Sequence, residues 1–196
     1  MSGVNHEDME IEVLPKNQQV ERIQGQENLP DICIKHIPFL IKQYYNTLAD
    51  LKLGVTFTDL PLVVSDTANS NDKEWDTLSG LRIAVGYNSN GKPIHLEIKS
   101  VELFADALGL EIKNKDSNYA KAVMAAAVFH ELKHVKQYVT RQHINYNTGE
   151  IDKKGEKEAR EYSIFQLKKL IAAKDIELAT GTALITEIKA EMDSEK

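Results

Sequence analysis

The run His130-Glu131-Leu132-Lys133-His134 places two imidazoles and a carboxylate at a spacing that suits metal chemistry. It lies in a stretch from Ser117 to about Arg141 that holds neither Gly nor Pro and therefore predicts a helix. Residues four apart share one helix face, so the rings of His130 and His134 can grip one metal ion. Glu131 falls about 100° further round, within reach of a water on that ion without being a ligand. Such an arrangement suits zinc-assisted hydrolysis. A chance HExxH match is expected on the order of 0.02 times in a chain with six His and this Glu content. Coincidence is therefore a poor explanation.

With His130 at 0° on a helical wheel, His134 falls at about 40°, Tyr138 at about 80° and Glu131 at about 100°. Met124, Val128, Leu132, Val135 and Val139 occupy a separate aliphatic sector. The polar residues thus sit beside the packing stripe, which favours a site over two core histidines. A catalytic zinc centre takes three protein ligands and leaves a fourth position for water, so another His, Asp or Glu is required. In Gly155-Glu156-Lys157-Glu158-Ala159-Arg160-Glu161-Tyr162, Glu156 heads the apolar stripe of a later helix, with Leu167, Leu170 and Ile171. Glu158 and Glu161 belong to its charged surface face. A carboxylate along a core-facing stripe is unfavourable unless compensated, and a zinc ion would compensate it. The competing reading of Glu156 is an N-terminal charge interacting with the helix dipole. His143 is the rival third ligand, but the pattern HExxHxxGxxH would need Gly and His where the chain has Gln137 and Thr140. His6, His36 and His95 lack partners at ligand spacing.

The elements that must hold these residues read as follows. Residues 1–28 are polar, rich in Glu, Gln and Asn, and form a flexible leader ahead of a single domain over 29–196. Pro30 and Asp31 open a helical pattern that runs to Leu51, with Gly54 as its stop and a kink or restart at Pro38. Short β-branched runs follow at Val55–Thr58, Leu62–Ser65, Leu81–Tyr87 and Ile94–Ile98, the last two joined by a turn-rich linker as a hairpin. Asp66–Asp76 is a surface loop anchored by Trp75. A short helix spans Val101–Leu108 and ends at Gly109. After the motif helix and a polar connection, a long helix runs from Lys157 or slightly earlier to about Ala190, with a possible break at Gly181. The order of elements fits an α+β single domain.

Composition narrows the function classes. The 196 residues carry a formal charge of -6 with no basic stripe, which argues against nucleic acid as a partner. Cys33 is the one cysteine, so an intrachain disulfide and a thiolate zinc cluster are both excluded. Its apolar neighbours Ile32 and Ile34 make it a core residue. No apolar run is long enough to span a membrane and no usual secretory signal is present, so a soluble cytoplasmic protein is the default expectation.

HELKHVKQ, followed after about 20 residues by EKEAREYS, resembles the gluzincin group of zinc metallopeptidases over roughly residues 94 to 170. Gln137 also matches an HExxHxxQ variant found in small bacterial and phage-type proteins of this kind. The resemblance implies a zincin-like domain with a small twisted, mainly antiparallel sheet, an HExxH active-site helix and a long C-terminal helix. It implies one zinc ion held by His130, His134 and Glu156, with Glu131 as the catalytic general base acting on a peptide or protein substrate. It also implies that the strand Ile94–Ile98 offers an edge for an extended peptide. Tyr146, Arg160 and Tyr162 are candidate oxyanion stabilisers among which the sequence does not choose. Arg160 departs from the group's pattern, because an Asp there would orient a zinc-binding His and a cation cannot. The alternative is a catalytically inactive binding or structural module on the same fold, for example an accessory of a phage or secretion system.

Overall fold

The computed structural model describes residues 23–52, 60–65, 78–87, 89, 93–145 and 150–194. The expected strand Val55–Thr58, the loop Asp66–Asp76 with Trp75, and residues 1–22 of the polar leader lie outside them. A short 3-10 turn, Gln26–Asn28, is followed by α1 (Asp31–Ile34), α2 (Ile37–Asp50), β1 (Leu62–Ser65), β2 (Ser79–Tyr87) and β3 (Pro93–Phe104). Then come α3 (Ala105–Glu111), α4 (Ser117–Thr140), α5 (Lys153–Ala172) and α6 (Leu178–Ser194). Among the described residues this is an α+β fold.

α4 is the central element. Ala120, Ala122 and the continuous run Ala125, Ala126 and Ala127 are good helix formers with minimal side chains, so neighbours approach closely on several sides. α1, α2, α5 and α6 pack on it, together with β2 and β3. Ala122 through Phe129 are all buried, so its middle third is enclosed on all sides and not on one stripe alone. Asp116 caps its start by accepting from the Tyr119 amide at 2.8 Å, and Arg141 at φ 55 closes its end.

The sheet has the order β1-β3-β2 and is mixed. β2 and β3 form the expected antiparallel hairpin, with Ser79 opposite Leu103 and Gly86 opposite His95. β1 runs parallel to the end of β3, Leu62 opposite Val101 and Ser65 opposite Phe104, a short parallel pairing beside the longer antiparallel one. It arises because β3 is longer than predicted. Val101-Glu102-Leu103 alternates buried, half-buried and buried, which is a period of two, and the helix assigned there starts only at Ala105 and continues through Gly109 to Glu111.

Two other boundaries differ from the sequence reading and one agrees with it. Ile23 is 4% exposed and Gln24 bridges to Val63, so 23–28, read from sequence as part of the polar leader, is packed against the sheet. The restart expected at Pro38 is present: the first helical pattern divides at Lys35 and His36, and Pro38 sits in the first turn of α2, where its missing N–H has no helical partner to lose. The C-terminal helix breaks between Ala172 and Leu178, with Lys174 at φ 62, and not at Gly181. Gly181 lies inside α6, where a Cβ would come within 2.5 Å of Ile171 Cδ1. Its role is close approach of α5 and α6.

Candidate metal centre

His130, Glu131 and His134 lie on the C-terminal half of α4, and Glu156 lies in the first turn of α5. α5 begins four residues before Lys157, at Lys153, because Asp152 caps it by accepting from the Gly155 amide at 2.8 Å. That early start turns Glu156 back toward α4. His130 Nε2 and His134 Nε2 are 2.8 Å apart, and Glu156 Oε2 is 3.3 Å from the first and 3.4 Å from the second. The three residues form a cluster able to hold a metal ion, with their ligand atoms all within 4.8 Å of one another. His134 is 7% exposed at its side chain, His130 22% and Glu156 38%, so the cluster opens to solvent on the Glu156 side.

The donor set fits a zinc-sized cation. Zinc–nitrogen and zinc–oxygen bonds of about 2.0 to 2.2 Å give a tetrahedron whose edges are roughly 3.3 Å. Both Glu156–His edges already have that length. The His–His edge is about 0.5 Å short, a gap that modest rotation of one ring closes.

Electrostatics describe the same cluster. Burial disfavours charge on His134, but its hydrogen bond to Glu156, the charges of Glu131 and Glu156, and Gln137 outweigh it and raise its pKa above the ordinary 6.5. Burial also works against charge on Glu156, yet its bonds to His130 and His134 hold its carboxyl well below the usual carboxylate range. A cation would replace the proton shared by these groups.

The site also includes residues that the sequence did not single out for these roles. Glu131 is 5% exposed, and Ser79, the first residue of β2, donates to its Oε1 at 2.9 Å. No sequence signal links Ser79 to a residue 52 positions later. Gln137 is fully buried; its Oε1 lies 2.7 Å from His134 Nδ1 and its Nε2 donates to the Gly155 carbonyl at 3.0 Å. Here a signal existed, since residues three apart on a helix are neighbours. Tyr138, in the same sector of α4, has its hydroxyl pushed up to about 12 by burial and then by the charges of Glu131, Glu156 and Glu150.

The remaining candidates separate from the cluster. His143 sits in the α4–α5 connection at φ 60, with Nε2 3.1 Å from Glu158 Oε1 and Nδ1 3.5 Å from Asp152 Oδ1. Glu158 is accordingly not a plain surface charge: it bridges His143 and Lys133, the latter at 3.6 Å. Glu161 does face solvent, paired with Lys157. The Tyr162 hydroxyl accepts from Gln166 at 2.6 Å and feels the charge of Asp50 on α2, which points it away from the cluster. Tyr146 lies outside the described residues, and Arg160 is half-buried on α5. His36 bonds Ser117 Oγ at 2.7 Å and has no part in the site. Cys33 is buried, and burial raises its thiol to about 11, as befits an inert core residue. No helix among the described residues is long and apolar enough to cross a membrane. Comparison with family models, curated proteins and solved structures gives no match.

Proposed function

We propose that this chain is a zinc-dependent peptide hydrolase in which His130, His134 and Glu156 hold one zinc ion and Glu131 is the general base. The observation that carries this reading is the convergence of three donor atoms from two helices, with Glu131 next in sequence to one ligand. His143 is engaged by Glu158 and Asp152, and no fourth His, Cys, Asp or Glu joins the group among the described residues. That count favours a centre open to solvent over a closed structural one.

The ion, when bound, supplies a Lewis acid that lowers the pKa of a coordinated water and polarises a carbonyl. Glu131 takes the proton from the attacking water and delivers it to the departing amine. Ser79 fixes one oxygen of that carboxylate, so the base does not have to be ordered at the moment of reaction. β3 is the middle strand, and the edge nearest Glu131 is that of β2, which begins at Ser79. An extended peptide backbone pairing along β2 would pass the base, which makes β2 the favoured substrate edge in this reading; β1 pairs only with Val101–Phe104 of β3, so Ile94–Ile98 pairs on the β2 side alone among the described residues.

Metal analysis of the purified full chain, with turnover measured on a peptide library, tests the proposal. One zinc per chain is expected, and Glu131→Gln should retain it while hydrolysis falls by about 100-fold or more. A parent chain that takes up no zinc would remove the reading altogether. Zinc-loaded Glu131→Gln protein with full activity would remove Glu131 from its role.

A further inference from the structure

We propose that Gln137 is the positioning residue of this centre, setting the tautomer of His134 and the place of Glu156 through one side-chain amide. The inference rests on His130, His134 and Glu156 being metal ligands, and it adds what makes them converge. Gln137 is 0% exposed, and both ends of its amide are engaged, the oxygen within α4 and the nitrogen across the junction to α5. Its two ends are chemically distinct: the oxygen only accepts, and the nitrogen only donates.

The Gly155 carbonyl decides which end is which. That carbonyl is an acceptor, so the group 3.0 Å from it must be the amide NH2. The opposite amide orientation would set two oxygens against each other in a buried place, which is unfavourable. With the NH2 committed to Gly155, the amide oxygen faces His134 Nδ1 at 2.7 Å, and the proton on that contact must belong to Nδ1. Nε2, which faces His130 and Glu156, is then the nitrogen left with a lone pair for a metal. A backbone carbonyl one residue before a ligand thus dictates the tautomer of another ligand on a different helix.

The same bond acts in the other direction. Gly155 immediately precedes Glu156, so tying its carbonyl to α4 fixes the first turn of α5 against the helix that carries the histidines. Arg160, four residues past Glu156, cannot accept from a histidine N–H. Gln137 supplies the acceptor in its place, from one turn along the His134 helix.

The test uses the full chain and zinc itself. Competition with a chromophoric chelator gives zinc affinity for the parent, Gln137→Met and Gln137→Glu, and nitrogen-15 ring shifts report the His134 tautomer. In the zinc-loaded parent, His134 should show a protonated Nδ1 and a metal-bound Nε2. Gln137→Met, which keeps the volume and removes both bonds, should bind zinc about 10- to 100-fold more weakly. Gln137→Glu retains an acceptor for Nδ1–H but sets a carboxylate oxygen against the Gly155 carbonyl, so it should keep the parent tautomer while recovering only part of that loss. A purely structural Gln137 would lower the melting temperature of the metal-free variants without moving the tautomer. The proposal is overturned if zinc-loaded His134 carries its proton on Nε2, or if Gln137→Met binds zinc within twofold of the parent. Should the Met variant not fold, the parent spectrum and the Glu variant still decide. Zinc binding without peptide turnover would count against the hydrolase reading alone. A parent that binds no zinc would remove the metal centre itself and this inference with it.

Discussion

Replacing Gly155 by Ala perturbs the first turn of α5 without touching any proposed ligand. A Cβ there would overlap Ile151 Cγ2, lie 2.8 Å from His143 Cβ and sit 3.4 Å from Gln137 Nε2. Carbon atoms rest about 3.5 to 4.0 Å apart, so the gap to His143 must widen by about 0.7 Å and the gap to Ile151 by more. Neither neighbour moves freely. His143 is held by Asp152 and Glu158, and Ile151 is pinned by its bridge to Ile144. The start of α5 must therefore give way, and the next residue is Glu156. Ligand distances in a metal site tolerate about 0.2 Å, well below this displacement. Against the overlap stands the better helix propensity of Ala, worth about 1 kcal/mol, whereas overpacking a buried position costs about 1 to 3 kcal/mol. Gly155 is buried, so the overlap wins. Zinc affinity should fall about 10- to 100-fold by competition titration, and the metal-free chain should melt a few degrees lower. A Gly155→Ala chain that binds zinc like the parent and melts higher would refute the reasoning.

Three further outcomes follow from the same geometry. Glu156→Ala should abolish stoichiometric zinc while Glu158→Ala, which loses only contacts to His143 and Lys133, keeps it; equal loss from both would undo the ligand assignment. Ser79→Ala removes a hydrogen bond to a buried carboxylate, worth about 1.5 to 3 kcal/mol or roughly 10- to 100-fold in rate, so kcat should drop with zinc content unchanged. An unaltered kcat would show that Ser79 does not position Glu131. In the metal-free chain, the raised pKa of His134 contributes stability that is complete below its ordinary 6.5 and disappears as pH rises through the folded value. The depressed pKa of Glu156 contributes stability that is complete above its ordinary 4.5 and disappears as pH falls through the folded value. The melting-temperature difference between parent and Glu156→Gln should therefore be greatest between pH 4.5 and 6.5, and a difference that stays flat from acid to alkaline pH would contradict the assignment.

What could be read from sequence was what depends on local periodicity. α4 was legible almost to the residue because Ser117–Thr140 has no breaker and carries its motif at i and i+4. β1 was legible because Leu62–Ser65 is a short, isolated β-branched run. Glu156 was picked out from Glu158 by its place on the apolar stripe, and Glu156 is the carboxylate that joins the histidines. Elements were misjudged where the next turn of chain is decided by a distant partner. Val101–Phe104 looks helical when joined to Ala105–Leu108, but β1 captures it as a strand. Gly181 reads as a helix breaker, yet Ile171 on a neighbouring helix needs the space its missing Cβ leaves. Ser79 could not be found at all, since only the packing of β2 against α4 brings it to Glu131.

The physical difficulty of this fold is that its central helix carries Glu131, His134 and Gln137 where a core helix would carry aliphatics. Each unpaired polar group in such a place costs about 1 to 3 kcal/mol, so three of them together would rival the stability of an ordinary domain. None is unpaired: Ser79 meets Glu131, Gln137 meets His134, and Gly155 meets Gln137. Among the described residues no buried side-chain nitrogen or oxygen lacks a hydrogen-bond partner. One bond ties the sheet to α4 at Ser79–Glu131, and a separate series joins Gly155, Gln137, His134 and Glu156, whose carboxylate stays partly open to solvent. Buried polarity satisfied in this directional way leaves the unmet demand at one place, the His130–His134–Glu156 triangle, where two ring nitrogens and an anion crowd within 3.4 Å. A proton can bridge two of these three atoms at a time, whereas a divalent cation can satisfy all three.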